Sequence, residues 1–235
     1  MAAKTEIAWT DSTWSPITGC TKVSPGCAYC YAEAMTKRFG GDFSKVTLHP
    51  ERLKQPLHWR NPRRIFVCSM SDLFHEDVPH DFMHLILKTI WDTPRHTYQV
   101  LTKRIDEAEG WAWEALPENI WLGTSVENQR WFDCRIRALA RCEVKTRFLS
   151  CEPLLGPIEG LVGWGLDQVI VGGESGPGFR PMQIEWLEDI VAQCKAVGIP
   201  VFVKQDAGRW PGRQGRIPDD LWAVKEFPKE ASHES

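Results

Sequence analysis

The stretch "DQVIVGGESGPGFRPMQIEWLEDIVAQCKAVGIPVFVKQ", residues 167–205, holds two short apolar runs on either side of one amphipathic segment. Neither "DQVIVGGES" (167–175) nor "IPVFVKQ" (199–205) alternates apolar with polar, which is how strands buried on both faces read. Between them, over 181–197, Ile184, Leu187, Ile190, Val191, Cys194 and Val197 fall on one helical face. Pro181 stands at the start of this segment and Gly198 just past its end, the usual punctuation of a helix. Strand, helix and strand in that order make a right-handed βαβ unit with parallel strands.

The same alternation runs upstream. Apolar runs recur at "RIFVCSM" (64–70), "TYQVLT" (97–102), "NIWLGTSV" (119–126) and "TRFLSCEPL" (146–154). A helix is expected around 80–92, with Phe82, Leu85, Ile86 and Ile90 on one face, and another around 128–141 carrying Trp131, Cys134 and Ala138. With a poor first strand near 13–18 the count reaches six or seven, short of the eight that close a TIM barrel. The class is α/β, and an open or partial TIM-like barrel of parallel strands fits best. With 43% hydrophobic residues and 235 positions, one domain over 1–225 can bury its own core, while the polar 226–235 reads as a disordered tail.

Net charge is −3, so no chain-wide basic field points to a nucleic acid or an anionic membrane, and such a contact needs a local patch. "MAAKTEIAWTDSTW" lacks the basic start and apolar core of a signal peptide, and no run is long enough to span a membrane. A soluble cytoplasmic protein is expected. Its eight cysteines would then stay reduced, which favours metal binding or catalysis over disulfides for a tight cluster.

In barrels and open sheets of this class, ligands sit at the carboxyl ends of the strands. Those ends carry Ser69, Ser71 and Asp72, then Lys103, then Thr124, Ser125 and Glu127, then Glu152, Glu174 and Lys204. Buried ionisable groups cost several kcal/mol unless paired or functional. A polar residue at every strand end therefore predicts a polar cavity.

At the end of the first strand lies "GCTKVSPGCAYCYA" (19–32), with Cys20, Cys27 and Cys30 spaced C-x6-C-x2-C. Three thiolates can hold three irons of a 4Fe–4S cube and leave the fourth open, whereas four would close it. Tyr29, just before the last cysteine, is placed to shield such a cluster from water. A structural zinc site completed by a His or by Cys68 or Cys151 is a second reading, and idle thiols a third.

"WSPITGCTKVSPGCAYCYAE" (14–33), with "SMSDLFH", "LTKR", "WLGTSVENQ", "SCEPLLG", "GGESGPGFRPM" and "FVKQ", resembles the phage Gp37/Gp68 proteins of the DUF5131 type, over residues 9 to about 228. Through the cysteine loop these look like the radical S-adenosylmethionine superfamily. The resemblance implies a partial (β/α)6 barrel, a 4Fe–4S cluster on Cys20, Cys27 and Cys30, and S-adenosyl-L-methionine cleaved by an electron from a reducing donor. It also implies a host-cytoplasmic location for a phage-encoded chain. By topology, Ser69, Ser71 and Asp72 stand where the superfamily carries Gly-Gly-Glu for the methionine amino group. Thr124, Ser125 and Glu127 resemble ribose or methionine contacts. Lys103, Glu152, Glu174 and Lys204 become catalytic residues that fix the substrate or move protons. The loop departs from the superfamily's C-x3-C-x2-C by three extra residues, and the literal "GGE" at 172–174 falls on a much later strand.

Cys68 and Cys151 read as core residues, and Cys134, Cys142 and Cys194 as helix packing. His75, Glu76, His80 and His84 in "HEDVPHDFMH" lack metal-helix spacing and read as solvated helix-start residues. "KQDAGRWPGRQGR" gathers Lys204, Arg209, Arg213 and Arg216 around Trp210, a pattern suited to a phosphate backbone and a stacked base. Two functions follow. One is a radical-type iron–sulfur enzyme on an unidentified substrate, with a nucleotide or nucleic acid indicated by this patch. The alternative is a non-catalytic nucleic-acid or protein-binding module with a structural three-cysteine metal site.

Overall fold

The computed structural model describes residues 5–109 and 117–228. In chain order these form β1 (Ser12–Trp14), β2 (Ile17–Thr18), α1 (Tyr31–Arg38), β3 (Thr47–Leu48), β4 (Arg64–Val67), α2 (His80–Trp91), β5 (Thr97–Thr102), α3 (Ile105–Glu109), β6 (Ile120–Ser125), α4 (Gln129–Arg141), β7 (Thr146–Cys151), β8 (Gln168–Gly172), α5 (Ile184–Val197), β9 (Val201–Gln205) and α6 (Asp219–Trp222). Seven strands, in the order β1-β4-β5-β6-β7-β8-β9, pair in parallel and curl into a half-barrel. β2 and β3 form a separate antiparallel pair.

Strand alternation sorts the apolar runs onto two faces. Outward residues such as Ile65, Val67, Tyr98, Val100, Leu149 and Val171 join the helices in the main core. Inward residues Phe66, Trp121, Phe148, Ile170 and Phe202 form a second core with Trp9, which enters the concave side and packs on Phe66 at a centroid distance of 4.8 Å. The Phe148 ring lies across Gly123, where an added Cβ would sit 2.6 Å from it. Two residues further along each strand, the inward parity passes to Gly123, Ser150 and Lys204, and then to Ser125 and Glu152. The barrel thus has an aromatic floor and a polar mouth.

The helices differ in places from the sequence reading. α5 begins at Ile184 rather than Pro181, because Arg180 N–H is held by Glu174 Oε2 at 2.8 Å and Met182 O accepts from Arg216 at 2.7 Å. It ends at Gly198 with φ 74°, a left-handed conformation suited to glycine. Leu85 of α2 is exposed, while Phe82, Met83, Ile86 and Ile90 are buried. On α4 the buried face is Phe132, Arg135, Ile136 and Leu139, and Cys134 faces solvent. Of the C-terminal stretch 226–235, residues 229–235 lie outside the described residues. Glu226 N–H reaches Val201 O at 2.8 Å, and Phe227 packs on Phe202 at 5.3 Å. Among the described residues no helix is long and apolar enough to cross a membrane.

Candidate functional site

The cysteine loop runs from β2 to α1 at the carboxyl end of the sheet. It turns at Gly19, with φ 90°, where a Cβ would lie 2.1 Å from Lys45 O. Backbone bonds fix its start, Gly19 N–H to Met70 O at 3.0 Å and Cys20 N–H to Phe43 O at 2.8 Å. Cys20, Cys27 and Cys30 are free, partly exposed thiols; Cys68, Cys142, Cys151 and Cys194 are buried in the core.

Three carboxylate–guanidinium pairs, each from a different part of the sheet, clamp this loop. Asp72, after β4, accepts from Thr102 Oγ1 at 2.7 Å, Phe74 N–H at 3.1 Å, Lys103 N–H at 3.0 Å and Arg104 Nη1 at 3.5 Å. Arg104 carries this anchor to the loop, donating to Thr21 Oγ1 at 2.7 Å, Thr21 O at 3.1 Å and Cys20 Sγ at 3.5 Å. Burial is the main reason the Cys20 thiol is pushed above its ordinary pKa; Asp72 adds to this and Arg104 opposes it. His75 completes this corner. Its Nδ1 accepts Asp77 N–H at 3.1 Å, so Nε2 carries the proton and donates to Thr21 Oγ1 at 2.9 Å. Burial pulls the His75 pKa down, which keeps it neutral, and corrects its reading as a solvated helix-start residue.

The second pair is Glu127 with Arg135, at 3.3 Å and both buried. Glu127 accepts from Ser24 Oγ at 2.5 Å and lies so close under Gly26 that a Cβ there would meet Oε1 at 2.2 Å. Arg135 Nη1 also donates to Ser125 O at 2.7 Å, and its guanidinium stacks 4.2 Å from the Trp131 ring centroid. In the third pair, Arg180 grips Glu174 through Nε at 2.9 Å and through Nη2, which also donates to Pro25 O at 2.9 Å. The same guanidinium covers the Tyr29 ring at 5.3 Å.

Beneath the loop, Lys204 Nζ donates to Glu152 Oε1 at 2.5 Å, with both side chains mostly buried. Tyr31 donates its hydroxyl to Ser69 O.

The structure brings the three cysteines, Tyr29, Asp72, Glu127, Glu152, Glu174 and Lys204 to one mouth. Lys103 reaches the inner side of β5, and its ammonium has no carboxylate partner among the described residues. The remaining hydroxyls serve the frame: Ser71 Oγ donates to Ile17 O at 3.1 Å, Ser69 Oγ pairs with Ser15 Oγ at 3.2 Å, and Thr124 Oγ1 donates to Thr102 O at 2.9 Å. Of the C-terminal basic patch, Lys204 is paired inside, and Arg216 holds Asp206 at 2.7 Å. Arg209, Trp210 and Arg213 stay exposed on the rim, with Arg209 5.5 Å from the Trp210 ring. Sequence reasoning missed Ser24, Arg104, Arg135 and Arg180, whose partners are set only by the fold.

The donor set fits an iron–sulfur cluster by its chemistry: three unoxidised thiols on one loop, outside the apolar core, beside guanidinium groups that can offset thiolate charge. The side chains are not drawn together for a single ion. Among the described residues no group of three or more His, Cys, Asp and Glu converges as a mononuclear metal site.

The sequence matches, over residues 4–232, the family described as "Protein of unknown function (DUF5131)". The chain belongs to the DUF5131 family. No curated protein matches this DUF5131 chain. Among solved structures it is similar to spore photoproduct lyase, a radical SAM enzyme, complexed with dinucleoside spore photoproduct, with TM-score 0.50 and 15% identity over 73% of this chain. A mutant of that enzyme with bound AdoMet and dinucleoside spore photoproduct matches at TM-score 0.50 and 16% identity over 73% of this chain. The match spans 58% of either lyase chain, under two thirds of their length. At this identity the likeness is one of fold: the half-barrel of the DUF5131 chain matches the partial TIM barrel of spore photoproduct lyase.

Proposed function

We propose that this DUF5131 protein is a radical-type iron–sulfur enzyme that uses S-adenosyl-L-methionine on a nucleotide or nucleic acid in the cytoplasm, the host's where a phage encodes it. The observation that carries the reading is the clamped loop: three free thiols held over a polar barrel mouth by Asp72–Arg104, Glu127–Arg135 and Glu174–Arg180. A structural zinc loop needs a fourth ligand, and the remaining thiols near the strand ends, Cys68 and Cys151, are buried in the core.

Cys20, Cys27 and Cys30 would hold a 4Fe–4S cluster. When bound, it supplies the electron, received from a reducing donor, that cleaves S-adenosyl-L-methionine. The chain's own groups do the rest. Arg104 donates toward Cys20 Sγ and offsets thiolate charge. Tyr29, backed by Arg180, shields the loop from water. Ser69, Ser71, Asp72, Thr124, Ser125 and Glu127 would shape the wall where the methionyl and ribose groups lie, and the bonded side chains of all but Ser125, whose carbonyl holds Arg135, make that wall rigid. Inside the mouth, Lys204 and Glu152 form a hydrogen-bonded ion pair that can fix a substrate group, and Lys103 offers a cation to an anionic one. On the rim, Arg209, Trp210 and Arg213 suit a stacked base and its phosphate.

Anaerobic reconstitution followed by S-adenosyl-L-methionine and dithionite tests the reading. Release of 5′-deoxyadenosine by the wild type and none by Cys27→Ala is the expected result. A folded protein that takes up stoichiometric zinc and releases no nucleoside would establish the binding-module alternative.

A further inference from the structure

At the opposite end of the barrel from the mouth, residues 52–64 carry Arg52, Lys54, Arg60, Arg63 and Arg64, and no acid occurs between Glu51 and Asp72. Arg63 and Arg64 precede and open β4, and Arg95 lies just before β5, so the fold brings Arg95 to the same edge. Arg95 donates to Trp59 O at 2.9 Å and to Leu57 O at 3.1 Å, wrapping the 56–59 turn around its guanidinium. Arg63 stands over the Trp59 ring at 5.4 Å, and His96 meets that ring edge-on at 6.2 Å.

This charge is only partly neutralised locally. Asp11 and Glu51 neutralise Arg64 and Arg52, and of the other nearby acids Asp92 is paired with Lys88 and Glu118 with Lys145. Among the described residues Lys54, Arg60, Arg63 and Arg95 have no carboxylate partner. The field is felt inside: buried His96 has its pKa lowered chiefly by desolvation, and the charges of Arg95 and Arg63 lower it further.

We infer that this basal face, built on Lys54, Arg60, Arg63 and Arg95 around Trp59, binds a nucleic-acid strand through its phosphate backbone without reading its sequence. Four of the five cations in 52–64 are arginines, whose planar forks match phosphate oxygens, and Trp59 is a partly exposed indole held rigidly among them. A chain of net charge −3 that concentrates unpaired guanidinium on one edge has a local patch of the kind backbone binding requires. The inference goes beyond the reading of the mouth and stands without it.

The test is fluorescence anisotropy of the full chain with a labelled oligothymidylate of about 20 nucleotides, titrated with salt. Lys54 and Arg60 are exposed and make no side-chain hydrogen bond or ion pair among the described residues, so Lys54→Glu/Arg60→Glu should melt as the wild type does. That variant is expected to bind about tenfold or more weakly near 50 mM salt, with the slope of log K against log salt shallower by about 1.4, two single-strand phosphate contacts. Arg209→Glu/Arg213→Glu, at the mouth, removes the rim's own contribution, and adding Lys54→Glu/Arg60→Glu to it should still lower the slope by the same amount, about 1.4. Affinity unchanged in Lys54→Glu/Arg60→Glu, or no binding by the wild type, overturns the inference. Loss in the rim variant alone does so too, and leaves the mouth reading intact. Equal displacement of the oligonucleotide by polyglutamate would assign the face to an acidic protein, and tighter capture by phosphatidylserine vesicles to a membrane; either result overturns it.

Discussion

Removing Glu127 should release the cysteine loop and leave a buried cation without its counter-ion. Glu127 and Arg135 are 0% and 2% exposed, and Arg135 Nη2 already has no hydrogen-bond partner. In Glu127→Ala, Arg135 keeps only Ser125 O and the Trp131 ring. Breaking a buried pair from one side costs about 3–5 kcal/mol, because the surviving charge stays desolvated. The lost bond from Ser24 to a charged oxygen adds about 1.5 kcal/mol or more. At about 2–4 °C per kcal/mol for a chain of this length, the thermal midpoint should drop by roughly 10–25 °C. Differential scanning fluorimetry with a urea titration measures it, and limited proteolysis should cut first within residues 21–29. Glu127→Gln/Arg135→Met removes both charges at similar volume and should recover most of the loss. A midpoint shift under about 2 °C in Glu127→Ala would refute the clamp, given that scale. So would a double variant as unstable as the sum of its single substitutions.

Gly123→Ala drives a methyl into the Phe148 ring, and overpacking of this kind costs about 1–3 kcal/mol; an unchanged urea midpoint would contradict the aromatic floor. His75 and His96 have folded pKa values below the ordinary 6.5, so the unfolded chain takes up protons that the native one refuses. Their contribution is whole above pH 6.5 and is lost as pH falls from there through the folded values. His75→Gln should flatten the slope of stability against pH in that window, and an unaltered slope would remove His75 from the Thr21 corner. Arg180→Ala should loosen the loop at Pro25, read as faster proteolytic cleavage within residues 21–29; an unaltered rate would show that Glu174–Arg180 does not hold it.

Much of the fold was legible because parallel strands covered on both sides print as unbroken apolar runs. The run 97–102 coincides with β5, and the unit at 167–205 gave β8, α5 and β9 with its glycine stop. The face of α4 was not legible. Arg135 looks like a solvent residue until Glu127, positioned by a neighbouring strand, gives it a reason to be buried. The same holds for the site. Spacing singled out Cys20, Cys27 and Cys30, and the polar strand ends marked the mouth. That Asp72, Glu127 and Glu174 each pair with an arginine, and that the pairs reach the loop through Arg104, Glu127 and Arg180, depends on contacts across 6 to 32 residues, to which local pattern is blind.

Iron content of the anaerobically reconstituted protein, with its electron paramagnetic resonance spectrum before and after S-adenosyl-L-methionine, tests the central claim most directly. Three thiols that leave one iron open predict about four irons per chain and a reduced signal that shifts on adding S-adenosyl-L-methionine. A single tightly held zinc, or a cluster whose signal ignores S-adenosyl-L-methionine, would contradict it.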